Sequence, residues 1–366
     1  MMPAIRKRSW IDGKGEARQA WLVDYRDAAG VRRAKQFARK KDADAWSTQA
    51  AWQVSQGTHT ADSQSIMVSQ AGDIWIAKVE ADSRERATVA NYRTILNRHI
   101  VPLIGAERLS RLTMPVIRSF VDRLLERRSR PTAARALHHL RMILKEAQGR
   151  GLVAQNVALG VRLPKAAREK SKVQIPTKAT LKKMLSASDD DLRPFVMTAI
   201  FTAMRASELR GLTWANLDLK KGTVTVVQRA DRFDQIGLPK SEAAHRTIPL
   251  PPALISELKA WKLRCPISPF DLVFPAPNGG VLNYKNFMTR RFLPMLEEAE
   301  LDRMGLHALR HAAASAWIHQ GIDLKRLQTW MGHGSIQLTI DRYGHLLKDE
   351  GRDAALAAAA QRDLLG

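Results

Sequence analysis

The sequence predicts a multidomain, mainly α protein: a small three-stranded β-sheet plus one helix at the amino terminus, a four-helix domain, and a mixed α+β domain. Three observations carry that expectation. With 366 residues, 45% of them hydrophobic, the chain is too long for one core and apolar enough to fill two or three. Apolar spacing changes along it, from alternation near the start to a three-to-four repeat afterwards. Two stretches lack both patterns, at 56–62 and 163–176, and they divide the chain into 1–62, 63–164 and 177–366, with a basic linker at 165–176.

Residues 4–11, 19–26 and 31–37 read as strands, with turn signals at Asp12-Gly13 and around Gly30. In the middle strand Trp21, Val23 and Tyr25 alternate with Leu22 and Asp24, the pattern of a half-buried strand. A helix over 41–55 places Ala43, Trp46, Ala50 and Val54 at helical spacing and would back the sheet. The second part holds helical patterns at 66–79 and 86–100, then at 114–125 after a Thr113 cap, and at 131–147, opened by Ser129 and Pro131. Four helices of this length make a compact bundle. The third part has helical patterns at 178–186, 191–204, 206–213, 252–263, 284–299, 305–320 and 323–332. Strand signals at 223–228 and 245–250 flank a loop with Gly237 and Lys240, and the tail over 350–366 is a good helix former.

Lys and Arg number 59 against 36 Asp and Glu, a formal net charge of +23 that favours a polyanion as partner. Arg32, Arg33 and Lys35 in the third strand, and Lys165, Arg168, Lys170 and Lys172 in the linker, are the candidate phosphate contacts. No apolar run approaches the ~20 residues that span a bilayer, so no membrane role is expected. The basic start lacks the apolar stretch of a signal peptide. Cys265 is the only cysteine, which excludes an internal disulfide and a cysteine-rich zinc site and fits a reducing cytoplasm. These features describe a cytoplasmic nucleic-acid binder.

Chemistry concentrates in four short stretches. Gly305-Leu-His307-Ala-Leu-Arg310-His311 sets His307 and Arg310 three apart, on one helix face. Met331-Gly-His333-Gly-Ser335 sets a histidine between two glycines, and Tyr343 follows within Thr339-Ile-Asp-Arg-Tyr343-Gly-His345. Upstream lies Thr202-Ala-Met-Arg205-Ala-Ser-Glu208-Leu-Arg-Gly-Leu-Thr-Trp214, and Lys240 falls between. Each alone is a weak signal, since His-x-x-Arg and Gly-His-Gly recur by chance. The ordered set is specific. Arginine, lysine, His-x-x-Arg, histidine and tyrosine in this order resemble the tyrosine recombinase (phage integrase) family over roughly 177–347. The stretch from Tyr92 through His99-Ile-Val-Pro-Leu-Ile-Gly105 is similar to that family's core-binding domain, and the amino-terminal sheet resembles, more weakly, its arm-type DNA-binding module. Ala203, where the family usually has glycine, and Asn216, where it often has an acid, depart from the pattern; neither position does chemistry, so tuning of packing is expected.

The resemblance implies a catalytic set of Arg205, Lys240, His307, Arg310, His333 and the nucleophile Tyr343, with Glu208 supporting. Physical chemistry agrees with it. Attack on a phosphodiester gathers negative charge on the non-bridging oxygens, which two guanidiniums and a histidine can bind without metal or cofactor. Ionising a tyrosine of pKa near 10 at pH 7 costs about 4 kcal/mol, so cations and a base such as His307 must help. Lys240 matches the family's general acid for the leaving oxygen, and a 3′-phosphotyrosyl link stores the bond energy. The resemblance further implies attachment-site DNA, a homotetramer on DNA, a tail helix docked on a neighbouring protomer, an excisionase and a host DNA-bending protein. Two alternatives are a type IB topoisomerase-like DNA-relaxing enzyme and a DNA-binding regulator on an inactive integrase scaffold. The arm-type sheet argues against the first, the full residue set against the second.

Overall fold

The protein is described by a computed structural model covering residues 4–27, 30–55, 62, 64–164, 175–346 and 350–365. It forms two compact units, Met1–Glu169 and Lys170–Gly366. Lys165, Arg168, Lys170 and Lys172 lie outside the described residues, as does most of the expected linker.

The first unit opens with an antiparallel sheet in the order β1 (Ala4–Ile11), β2 (Ala17–Arg26), β3 (Arg32–Phe37). Lys35 pairs with Val23 and Arg33 with Tyr25, which puts Trp21, Val23, Tyr25, Arg33, Lys35 and Phe37 on one face. Helix α1 (Lys40–Ser55) covers that face: Trp46 meets Tyr25 edge-on at 5.0 Å and Phe37 at 5.6 Å. Arg33 and Lys35 are therefore turned inward, bonded to Asp27 (2.9 Å) and Asp62 (2.8 Å). The opposite face presents Arg6 and Arg32 beside Asp24, 63% and 71% exposed, with Arg8 further along β1.

A bundle follows: α2 (Val68–Ala81), α3 (Arg86–Ile95), α4 (Val101–Ile104), α5 (Met114–Arg127) and α6 (Arg130–Gly149). A π-turn at Leu96–Ile100 joins α3 to α4, so the helix expected over 86–100 runs on to Ile104. Its core includes Trp75, Ile100, Phe120, Leu137 and Leu140, each buried. Full burial stabilises each such side chain by roughly 1.5–3 kcal/mol.

The second unit begins with α7 (Lys178–Ala187), α8 (Arg193–Thr202) and α9 (Ala206–Arg210). An antiparallel sheet of β4 (Leu217–Asp218), β5 (Thr223–Val226) and β8 (Arg246–Pro249) comes next, with a hairpin of β6 (Arg229–Ala230) and β7 (Ile236–Gly237) between. Helices α10 (Pro252–Arg264), α11 (Tyr284–Phe287), α12 (Leu293–Glu298), α13 (Leu306–His319), α14 (Leu324–Met331), α15 (Ile336–Tyr343) and α16 (Glu350–Leu365) complete it. Phe195, Trp261, Phe274, Phe287 and Phe292 anchor its core. Helix α13 is rich in alanine, the best helix former, and its small buried Ala312, Ala313 and Ala314 let it pack closely against α8. That approach positions the site. Among the described residues no helix is long and apolar enough to cross a membrane.

Candidate active site

The site is built on the carboxyl end of α14. The last carbonyls of a helix have no intrahelical partner and carry partial negative charge. Here three successive ones each accept an arginine: Trp330 from Arg246 Nε (2.7 Å), Met331 from Arg310 Nη2, and Gly332 from Arg205 Nη2 (2.8 Å). Arg310 Nη1 also donates to the carbonyl of Ala203, at the end of α8. Gly332 caps α14 in the left-handed region at φ 61°, and a Cβ there would stand 3.0 Å from Arg246 Nη1 and 3.2 Å from the Ala243 carbonyl. A side chain there would be strained in its dihedral and would press on Arg246, so glycine suits the position.

Ala203 is itself left-handed, at φ 52° and ψ 21°. A glycine would adopt that conformation without strain, and Ala203 is also fully buried beside Tyr343. Asn216 donates to the hydroxyl of Thr213 at 2.6 Å within a short turn.

Glu208 is buried between two of these arginines. It accepts from Arg205 Nη1 (2.7 Å) and the Arg205 backbone N–H (2.8 Å), and from Arg246 Nη1 (3.2 Å) and Nη2 (2.8 Å). Burial alone would raise its pKa, but Arg246 and then Arg205 hold it below the ordinary carboxylate value. Burial, with Arg205 alongside, brings Arg310 down to about 9, still cationic at neutral pH. Lys240 stands exposed on the loop between β7 and β8, whose far end is fixed where Arg246 meets Trp330.

The nucleophile candidate is deeply placed. Tyr343 is 1% exposed, packed with Ala203, Ala313, Ala314 and Met331. Its hydroxyl lies 2.7 Å from Nδ1 of His311, and its ring stacks parallel to His333 at 6.5 Å. Burial raises its pKa and outweighs the lowering by Arg310 and Arg342, so it is a neutral phenol here. His307, the base expected from sequence, stands instead 3.3 Å from Arg342 Nη1 through its Nε2. An arginine only donates, so that Nε2 is the acceptor and His307 is neutral. Burial first, then Arg310 and Arg342, lowers its pKa.

Burial also brings His333 to about 3, with Arg310 and Arg205 adding, and His311 to about 4, with His307 and Arg342 adding. Both histidines are neutral when folded and titrate near 6.5 when unfolded. Their contribution to stability is thus complete above pH 6.5 and lost as pH falls toward 4 and 3. The melting temperature is expected to drop by roughly 5 °C between pH 6.5 and 5, above the carboxylate range. Calorimetry showing a flat melting temperature across that window contradicts the burial assigned to them.

Residues 175–350 match the phage integrase family and residues 68–163 the phage integrase central domain. The chain belongs to the phage integrase family of tyrosine recombinases. An XerC-like tyrosine recombinase from Caldanaerobacter subterraneus subsp. tengcongensis is 23% identical to this recombinase, over 95% of this chain and 97% of its own. The ICEBs1 integrase of Bacillus subtilis is 24% identical, over 80% and 83%. In fold, the recombinase resembles a Tn1549 transposon integrase solved with a circular intermediate DNA (TM-score 0.67, 19% identity, 81% of this chain and 99% of that one). It also resembles a lambda integrase dimer bound to a core site (TM-score 0.63, 18% identity, 94% and 95%).

Of the residues singled out from sequence, the recombinase gathers Arg205, Glu208, Arg310, His333 and Tyr343 around the end of α14, with His307 one turn before Arg310 on α13. Sequence reasoning missed Arg246, His311 and Arg342. His311 had a signal, for it lies four residues after His307 on the same helix face. Arg246 had none beyond its charge.

Proposed function

We propose that this recombinase cuts and rejoins DNA at attachment sites through a 3′-phosphotyrosyl link to Tyr343, integrating or excising a mobile element such as a prophage or integrative element. The observation that carries the proposal is the convergence of Arg205, Arg310 and His333 on one helix end, with the Tyr343 ring stacked against the last of them. Two guanidiniums held by main-chain carbonyls are preorganised for the non-bridging oxygens of a phosphodiester. The Tyr343 oxygen attacks phosphorus, the phenolic proton passes to a neutral histidine, and the 5′ oxygen leaves with a proton from Lys240. The reverse step reseals DNA without ATP.

The partners of this reading are duplex DNA and three further copies of the chain in a tetramer, with an excisionase and a host bending protein assisting. It divides the chain into an arm-type module (1–62), a core-binding bundle (63–164), a basic linker (165–176) and a catalytic domain (177–366). The test is covalent trapping on nicked DNA from the flanks of the encoding element. A denaturant-resistant protein–DNA band supports the proposal. Tight, salt-sensitive binding with no band on any flank favours a regulator on an inactive scaffold instead.

The arm module gives a second expectation. Arg6, Arg8 and Arg32 share the open face of the sheet, whereas Arg33 and Lys35 face α1 and are bonded to carboxylates. Replacing the first three by alanine is expected to lower the slope of log affinity against log salt by roughly 2–3. The Arg33→Ala/Lys35→Ala pair is expected to spare that slope and reduce thermal stability. The opposite pattern in a salt titration assigns DNA to the other face.

A further inference from the structure

His333 is clamped at three points. Its backbone N–H donates to the Gln328 carbonyl (3.1 Å), its own carbonyl accepts from Gln328 Nε2 (3.1 Å), and Nδ1 lies 2.8 Å from Thr339 Oγ1. The backbone is thereby fixed, and the ring is held by a single side-chain contact.

The direction of that contact follows from an accounting of hydrogens. Thr339 is completely buried on the inner side of α15, one turn before Tyr343. Four other helical threonines return their hydroxyl proton to a carbonyl four residues back: Thr94 to Ala90, Thr198 to Pro194, Thr202 to Thr198, Thr329 to Lys325. Thr339 makes no such bond, and among the described residues its hydroxyl meets only Nδ1 of His333. A buried O–H left without an acceptor costs about 1–3 kcal/mol, so the hydrogen belongs in the contact. His139 and His319 show the contrary case: their Nδ1 atoms face carbonyl oxygens of Arg135 and Ser315, which only accept, so there Nδ1 carries the hydrogen.

We infer that Thr339 is a positioning residue for His333, whose Nδ1 accepts the threonine hydroxyl so that the ring carries its hydrogen on Nε2, the atom free to donate to a phosphate oxygen. Among the described residues Nε2 makes no hydrogen bond. A neutral imidazole has one N–H, and with Nδ1 occupied as acceptor the remaining nitrogen must be the donor. Burial first, and then the charges of Arg310, Arg205, Arg342 and Arg246, keep the ring neutral, so no second N–H forms. The inference rests on the reading of His333 as a donor to the transition state, and it extends that reading to the residue that fixes which nitrogen does the donating.

The test uses the full-length protein with nitrogen-15 histidine and long-range proton–nitrogen correlation at pH 7.5, with His333→Gln identifying the signal. The expected result is a His333 protonated on Nε2 and bare on Nδ1; a proton on Nδ1 overturns the inference whatever the variants do. Thr339→Val keeps the volume and removes the donor. It is expected to raise the pH at which His333 titrates, because the bond to bare Nδ1 stabilises the neutral ring, and to slow cleavage of a nicked substrate about tenfold. Thr339→Ser is expected to restore both. A valine variant that cleaves at the wild-type rate, or whose His333 titrates lower, removes Thr339 from this role. The correct tautomer in a protein that never forms a covalent complex leaves the inference standing and defeats the catalytic reading.

Discussion

Tyr343→Phe is expected to abolish the denaturant-resistant complex on nicked DNA while leaving affinity for the same DNA within about twofold. Phenylalanine fills the same space among Ala203, Ala313, Ala314 and Met331, so the fold loses only the hydroxyl and its bond to His311. That bond contributes on the order of 1 kcal/mol. Cleavage through the proposed phosphotyrosyl link would lose its attacking atom altogether. The sequence holds four tyrosines, and Tyr25, Tyr92 and Tyr284 lie outside the hydrogen-bonded set at α14, so no neighbour replaces it. Gel separation after denaturation checks this, with filter binding as control. A band of wild-type intensity from the phenylalanine variant assigns the nucleophile elsewhere.

Arg310→Lys is expected to cost nearly as much as Arg310→Ala, about a thousandfold in the rate of covalent complex formation. The buried guanidinium bridges the carbonyls of Ala203 and Met331 with two nitrogens. A lysine ammonium is a point charge and cannot span the two carbonyls and hold a planar fork toward phosphate. Alanine also leaves two buried carbonyls unpaired, a further loss of about 1–3 kcal/mol in stability. Single-turnover rates with saturating enzyme, alongside thermal melts, separate the two effects. A lysine variant within tenfold of wild type shows that charge alone, not the fork, is what the site requires.

Much of this architecture is legible in the sequence because its elements obey simple periodicities. Trp21, Val23 and Tyr25 alternate because α1 covers one face of β2, and the bundle helices show their buried stripes directly. Helix α15 is the instructive exception. Its inner side is Thr339 and Tyr343, while Ile336, Leu338 and Ile340 are 41%, 49% and 37% exposed. Hydrophobicity therefore points the wrong way along it, and no helical pattern emerges. The candidate residues, Glu208 among them, stand out as an ordered motif, but Arg246 and the carbonyls that hold the arginines do not. Arg246 reaches Glu208 across 38 positions and Arg310 reaches Ala203 across 107, distances over which spacing carries no signal. Nor does composition separate the inward Lys35 from the outward Arg32; only the register of β3 on β2 does.

The arginines at α14 are tied to atoms that every amino acid possesses. A substitution changes a side chain and leaves the carbonyl in place, so drift along α14 can repack its flanks without disturbing what Arg205, Arg246 and Arg310 hold. Only changes in the path of the backbone reach the anchors, a proline in the last turn or any side chain at position 332. The charge geometry is thereby insulated from most single mutations along α14, and tuning falls to the arginines, to Glu208 between two of them, and to the glycine that turns the chain beside them.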